Sequence, residues 1–176
     1  GDEHFTRIGD YEQALTGVYT RLLQDGYYGT SNTGANAFVG LTDYLSDNFF
    51  ESVESLGNQQ DFFRWTYTAD DVSIGDMWLD GYKIVQQANL VLRRIDNFTV
   101  TDGSAVNRIK AQAIALRAMA HFDLLRYFGE ASDRNSPAKG IPYVEVFDIE
   151  QKPARLSVKE TYDKIEADFK TAKTLM

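Results

Sequence analysis

Residues 113–129 read AIALRAMAHFDLLRYFG, and this stretch decides the fold. Ile109, Ala113, Leu116, Ala120 and Leu124 recur at helical spacing on one face, and Ile114, Ala118, Phe122 and Leu125 make the adjacent face. A helix apolar over so wide an arc must be packed from two sides. Alanine stands at positions 111, 113, 115, 118 and 120. It favours the helix, and its small side chain lets a neighbouring helix approach closely. The spacing predicts a central helix over residues 105–128, stopped at Gly129.

Upstream, residues 71–97 carry two apolar stripes, one through Trp78, Tyr82, Val85, Asn89 and Leu92 and one through Ile84, Ala88, Val91 and Ile95. A short turn near residues 99–104 then makes this helix and the central one an antiparallel hairpin. Tyr11, Leu15, Val18 and Leu22 predict a first helix over residues 10–24, ended by Asp25-Gly26, and a shorter helix over residues 36–45 would pair with it. The glycines and paired tyrosines Tyr27 and Tyr28 between them read as a loop.

Downstream, residues 130–155 hold all three prolines, Pro137, Pro142 and Pro153. They read as an irregular strap with one extended piece at residues 141–147. Ser157 and Glu160 match a capping box, with the serine as N-cap and the glutamate reaching back. Val158, Tyr162, Ile165, Phe169 and Ala172 predict the buried stripe of the last helix, which is still running at Met176. The fold class is all-α: stacked helical hairpins of tetratricopeptide-like architecture with long irregular loops, part of a larger α protein. No repeat stands out at the usual 34-residue period, so the likeness is architectural.

The 176 residues carry 18 basic and 26 acidic side chains, a net charge of −8. A chain this long buries roughly 70 % of its unfolded surface and needs no disulfide or metal to hold together. The acidic balance argues against nucleic-acid binding, which needs a basic footprint. There is no cysteine, which removes disulfides, thiolate metal sites and a cysteine nucleophile. No apolar run approaches the ~18–20 residues that span a bilayer. The N-terminus Gly1-Asp2-Glu3-His4-Phe5 lacks the basic and apolar regions of a signal peptide, and Gly1 reads as a tag remnant, leaving one domain over residues 2–176.

Catalytic machinery is thin. His121 lies one turn after Arg117 on the central helix. It reads either as a general base or metal ligand, or as a polar residue satisfied by a neighbouring helix. The second reading is favoured, because no other histidine sits at ligand spacing. Arg117, Asp123 and Arg126 predict interhelical ion pairs, since a doubly buried helix must pair its charges. Asn89 predicts a bond to a facing backbone group. Asp43, Asp47, Asp70, Asp71 and Asp76 match no calcium loop, and a glycosidase pair among them is a weak reading. No catalytic residue, metal or cofactor is expected.

Residues 49–68 are the most suggestive stretch outside the core. Flat rings and amide, carboxylate and guanidinium groups share one segment there, which is what a neutral glycan requires: C–H faces stack on rings and hydroxyls bond polar groups. Phe50, Asn58, Phe63, Arg64 and Trp65, together with Tyr28, are the candidate ligand residues. The alternative is that these rings staple the loop to the helices.

Four stretches in order resemble the SusD/RagB family of outer-membrane nutrient-binding lipoproteins. Residues 113–129 are similar to that family's AxxLRAxxxFxLLRxFG helix. Trp78, Tyr82, Ile84, Ala88, Asn89 and Leu92 match a second pattern. Gly140-Ile141-Pro142 with Ala154-Arg155-Leu156-Ser157-Val158, Tyr162-Asp163-Lys164-Ile165 and Asp168-Phe169 match a third, and Gly17-Val18-Tyr19 the start. The resemblance implies the N-terminal, tetratricopeptide-like part of a longer, non-enzymatic surface lipoprotein. Such a protein would capture oligosaccharide over a TonB-dependent, SusC-like outer-membrane transporter, held by an N-terminal lipid on a cysteine that this sequence lacks. Two other readings stand beside it. One is a tetratricopeptide-like scaffold that takes a peptide in a groove lined by Asn, Lys and Arg; the other is a glycoside hydrolase.

Overall fold

The computed structural model describes residues 5–29, 37–46, 48–52, 54, 59–95, 98, 103–148 and 150–176. Among them the chain is all-helical: α1 (Ile8–Arg21), α2 (Ala37–Tyr44), α3 (Gln60–Phe63), α4 (Val72–Ile95), α5 (Gly103–Phe128) and α6 (Val158–Leu175). They form two compact units. One runs to Thr20 and resumes at Tyr82 through Met176; the other is Arg21–Gly81.

In the larger unit α5 is the centre. Ile109, Ala113, Leu116, Ala120 and Leu124 are all buried, as are Ile114, Ala118 and Leu125. Three helices lean on it. From α1, Tyr19 donates to Gln112 Oε1 at 2.9 Å, and Glu12 meets Arg108 at 2.6 Å. From α4, Tyr82 contacts His121 and Asn89 contacts Arg117, an order that makes the pair antiparallel. From α6, Asp168 meets Arg117 and Tyr162 meets Phe122, again antiparallel. The expected hairpin and the central position of α5 therefore hold.

Helix ends follow local chemistry. The Asp71 carboxylate accepts from Ser73 N at 2.8 Å and opens α4. Ser157 accepts from Glu160 N while Glu160 accepts from Ser157 N at 2.9 Å, the expected capping box. Arg155 donates to Phe128 O at 2.6 Å, placing a cation on the carbonyl end of α5. The first helix ends three residues earlier than expected, at Arg21, because Tyr28 N turns back to Leu22 O and Gly29 N to Gln24 O.

One expectation needs correction. The buried stripe of α6 runs through Val158, Thr161, Ile165, Asp168 and Ala172, whereas Phe169 is 42 % exposed and Tyr162 half-buried. Two polar residues take the inward places because each has a fixed partner inside: Thr161 donates to Ser157 O, and Asp168 answers Arg117. Asp123 and Arg126 pair with each other along α5. The extended piece at residues 141–147 belongs to no strand among the described residues; Leu156 N donates to Ile141 O at 3.2 Å, and Lys139 bridges Ser157.

The strap's buried backbone is answered by side chains instead. Tyr82 donates to Pro142 O at 2.7 Å, and Asn89 Nδ2 to Val144 O at 3.0 Å. Val144 N donates to His121 Nε2 at 3.0 Å. Gly140 lets the strap approach α6: a Cβ there would lie 2.6 Å from Thr161 Oγ1 and 2.9 Å from Ser157 O. The groove between α4 and α5 is thus filled by the chain's own residues 141–145.

The smaller unit is built on aromatic contacts. Tyr27 is buried against Phe38 at 4.5 Å between ring centroids. Gly26 fits closely, its N–H donating to Asp80 Oδ2 at 3.1 Å, and a Cβ would meet Asp76 O at 2.6 Å.

Candidate functional site

Residues 49–68 are not an unbroken loop: they contain the one-turn helix α3. It ends in a Schellman pair, Thr66 N to Asp61 O at 2.8 Å and Trp65 N to Phe62 O at 3.2 Å. The residue at the turn of that motif is usually glycine, because the backbone is left-handed there. Here it is Trp65, at φ 57°. A left-handed backbone costs a residue with a Cβ about 1–2 kcal/mol. The indole gains little packing in return, since Trp65 is 66 % exposed.

Around it the structure gathers several of the expected residues. Phe63 packs on Tyr44 at 5.1 Å, and Tyr44 reaches Phe49 at 6.4 Å. Arg64 lies 3.7 Å from the Glu51 carboxylate, which ties the start of the segment to the end of α3. Phe62 is buried and stacks on Tyr67 at 5.0 Å, fixing α3 from beneath. Phe50 is 87 % exposed. One stretch therefore carries two outward rings, Phe50 and Trp65, and an ion pair whose guanidinium is exposed and whose carboxylate is largely covered.

Tyr28 packs with Tyr27 and Phe38. Its ring lies on Tyr27 at 4.3 Å and edge-on to Phe38 at 6.4 Å, and it is 38 % exposed. Asn58 lies outside the described residues. Tyr44 and Glu51 were not singled out from the sequence. Their roles arise across a loop, and no local pattern announces such a contact. Trp78 is half-buried on α4, in keeping with its helical stripe.

In the larger unit Arg117, Asn89, Asp168, Tyr143 and His121 are bonded to one another and to the backbone. Arg117 donates from Nε and Nη2 to the two Asp168 oxygens, both at 2.8 Å, and from Nη1 to Asn89 Oδ1 at 3.0 Å. Tyr143 donates to Asp168 Oδ2 at 2.7 Å. Burial alone would lower the Arg117 pKa, but the Asp168 bonds and charge outweigh it and raise it. His121 is fully buried and stacks on Tyr143 at 3.9 Å. Its Nε2 accepts from Val144 N, so Nδ1 carries the proton and donates to Arg117 O at 2.9 Å. The partner is thus the strap and its own helix, not the neighbouring helix expected. Burial pushes the imidazole down to about 3, so it is neutral at physiological pH. Both ring nitrogens are committed, which leaves no atom for a metal or a substrate. Among the described residues no group of three or more His, Asp or Glu is placed to hold a metal ion, and no helix is long and apolar enough to cross a membrane.

Comparison with known proteins places this geometry. Residues 2–176 match a SusD-like family described as starch-binding, associating with outer membrane. SusD-like protein P2 of Formosa agariphila is 24 % identical over 98 % of this chain and 32 % of its own. A solved structure of a protein put forward as sugar binding, from Bacteroides vulgatus ATCC 8482, aligns at 29 % identity and a TM-score of 0.82, covering 99 % of this chain and 38 % of that one. Surface glycan-binding protein A of Bacteroides fluxus aligns at 23 % identity and a TM-score of 0.70, over 93 % of this chain and 32 % of its own. The chain spans about a third of the length of these relatives. The shared fold is the helical, tetratricopeptide-like one.

Proposed function

The chain belongs to the SusD-like family, and from that premise we propose that it is the N-terminal part of a non-enzymatic lipoprotein on the outer-membrane surface. It captures oligosaccharide and passes it to a TonB-dependent, SusC-like transporter. The observation that carries this reading is Trp65, an exposed indole held in a left-handed turn next in the chain to Arg64, which pairs with Glu51. A pyranose presents a C–H face to the ring and hydroxyls to the charged pair. Such contacts are weak enough singly to release the sugar to a partner. The family's description as starch-binding, associating with outer membrane, supports both the ligand class and the location.

The peptide-scaffold reading is weaker for a specific reason. The α4–α5 groove already holds residues of the strap, with the Val144 N–H and C=O both taken by His121 and Asn89. A peptide would have to displace a buried segment.

The test is titration calorimetry with oligosaccharides found by glycan array. Trp65→Ala and Arg64→Ala should each weaken binding about tenfold, about 1.4 kcal/mol, while circular dichroism stays unchanged. Trp65→Gly should bind as poorly as Trp65→Ala, because it keeps the turn and removes the ring. Unchanged affinity in all three variants would refute this site.

A further inference from the structure

The larger unit carries a small cleft between α1 and α5 that shares no residue with the aromatic segment. It measures about 210 Å³. Leu15 and Ile109 are its apolar lining, and both are buried. Tyr19 lines it too, with its side 42 % exposed. That ring is open to water but not loose. Its hydroxyl donates to Gln112 Oε1 at 2.9 Å, and Gln112 Nε2 in turn donates to Arg108 O at 3.3 Å. Arg108 Nη2 reaches back to α1 and donates to Glu12 Oε1 at 2.6 Å. The cleft is therefore rimmed by a pinned aromatic ring, an amide and an ion pair. The pair's side chains are 59 % and 48 % exposed, and a guanidinium with five N–H groups facing a carboxylate with about four acceptor sites has more capacity than one bond uses.

We propose that this cleft binds a single neutral pyranose ring. The proposal rests on the reading that the chain binds saccharides, and adds a second subsite to it. Four considerations choose this ligand. The volume lies below the roughly 300–1,000 Å³ of pockets for drug-sized molecules, which limits the occupant to about one ring. An exposed aromatic ring beside an apolar lining matches the C–H face of a sugar, and the guanidinium, carboxylate and amide match adjacent hydroxyls, each of which donates and accepts. The two charges of the lining, Glu12 and Arg108, cancel, so a charged sugar would give up hydration with no opposite charge in excess to receive it. The ring and the guanidinium are already held by their bonds, so little side-chain freedom is lost on binding. An extended peptide finds no backbone ladder to join, because both walls are α-helices whose backbone groups bond within the helix.

The experiment is a ¹⁵N chemical-shift titration of the 176-residue chain at fixed ionic strength, with D-glucose, sorbitol, D-glucuronate and D-glucosamine in separate arms. Glucose should move the Gln112 side-chain amide and the Arg108 Nε–H signals. Sorbitol carries the hydroxyls without a ring face and should leave them in place. Tyr19→Ala should lower glucose affinity at these signals about tenfold, with circular dichroism matching the parent. If that variant's circular dichroism departs from the parent, Glu12→Gln/Arg108→Gln takes its place and should lose as much. The Trp65 indole N–H, read in the same spectra, reports the aromatic segment. Movement of the Trp65 signal with Gln112 and Arg108 still overturns this subsite alone. No movement of any of the three up to about 100 mM glucose overturns the subsite and the saccharide reading together. Sorbitol matching glucose at Gln112 and Arg108 overturns the proposal, as does tighter binding there of either charged sugar. An unaltered glucose affinity in the folded variant also overturns it.

Discussion

Asp168→Ala should be among the most damaging single substitutions in this chain. Its carboxylate makes two 2.8 Å bonds to Arg117 and accepts from Tyr143 at 2.7 Å. The side chains of the ion pair are only 10 % and 12 % exposed. Removing the carboxylate leaves a mostly buried guanidinium that cannot shed its proton and keeps only neutral acceptors at Asn89 Oδ1 and Glu145 O, together with a phenol whose remaining acceptor is Lys164 O at 3.4 Å. Breaking a buried pair from one side costs about 3–5 kcal/mol. Domains have only about 5–15 kcal/mol in total, so this is a large share. For a chain of this length it lowers the melting temperature by about 6–20 °C. The assay is urea unfolding followed by circular dichroism, with the Arg117→Met/Asp168→Leu double variant as the control. The double variant removes both charges and should cost less than Asp168→Ala alone, since the penalty lies in the orphaned cation rather than in the lost attraction. A loss under about 1 kcal/mol for Asp168→Ala, or a double variant worse than the single, would show that Arg117 is not the buried, dependent charge described here.

Two further outcomes are expected. His121 is neutral in the fold with its pKa pushed down to about 3, against an ordinary 6.5. The unfolded chain therefore binds a proton that the native state refuses. The His121 contribution is complete above pH 6.5 and falls by about 1.4 kcal/mol per pH unit as the pH drops towards 3. Urea midpoints of parent and His121→Gln between pH 7 and 4 should diverge in slope by that amount, and parallel curves would contradict it. Gly140→Ala should cost about 1–3 kcal/mol through overpacking, because its Cβ lands 2.6 Å from Thr161 Oγ1. The check is again urea unfolding, and a neutral result would mean that the strap can lift from α6 at no cost.

The helices were legible because their signal is local. In α5 two stripes and the alanines named the central helix, and the structure buries both. The capping box at Ser157 was readable for the same reason: donor and acceptor lie three residues apart. Asn89 on an apolar face required a polar answer, and it received the Val144 carbonyl as expected. The α6 stripe was misread by one place at two positions. Hydrophobicity favoured Tyr162 and Phe169 for the interior, and partners elsewhere in the chain put Thr161 and Asp168 there instead. In the candidate site, aromatic composition singled out residues 49–68. It gave no sign of α3, of Tyr44 beneath Phe63, or of the left-handed Trp65.

By itself the chain's order of residues determined the helices, their sequence, the central place of α5 and the family resemblance, since helical period and capping depend on neighbours within a turn or two. Only the tertiary structure decided which group neutralises Arg117, fifty-one residues away, and that the strap fills the α4–α5 groove. A buried charge or carbonyl demands a partner but does not specify one, and the packing of distant segments makes that choice.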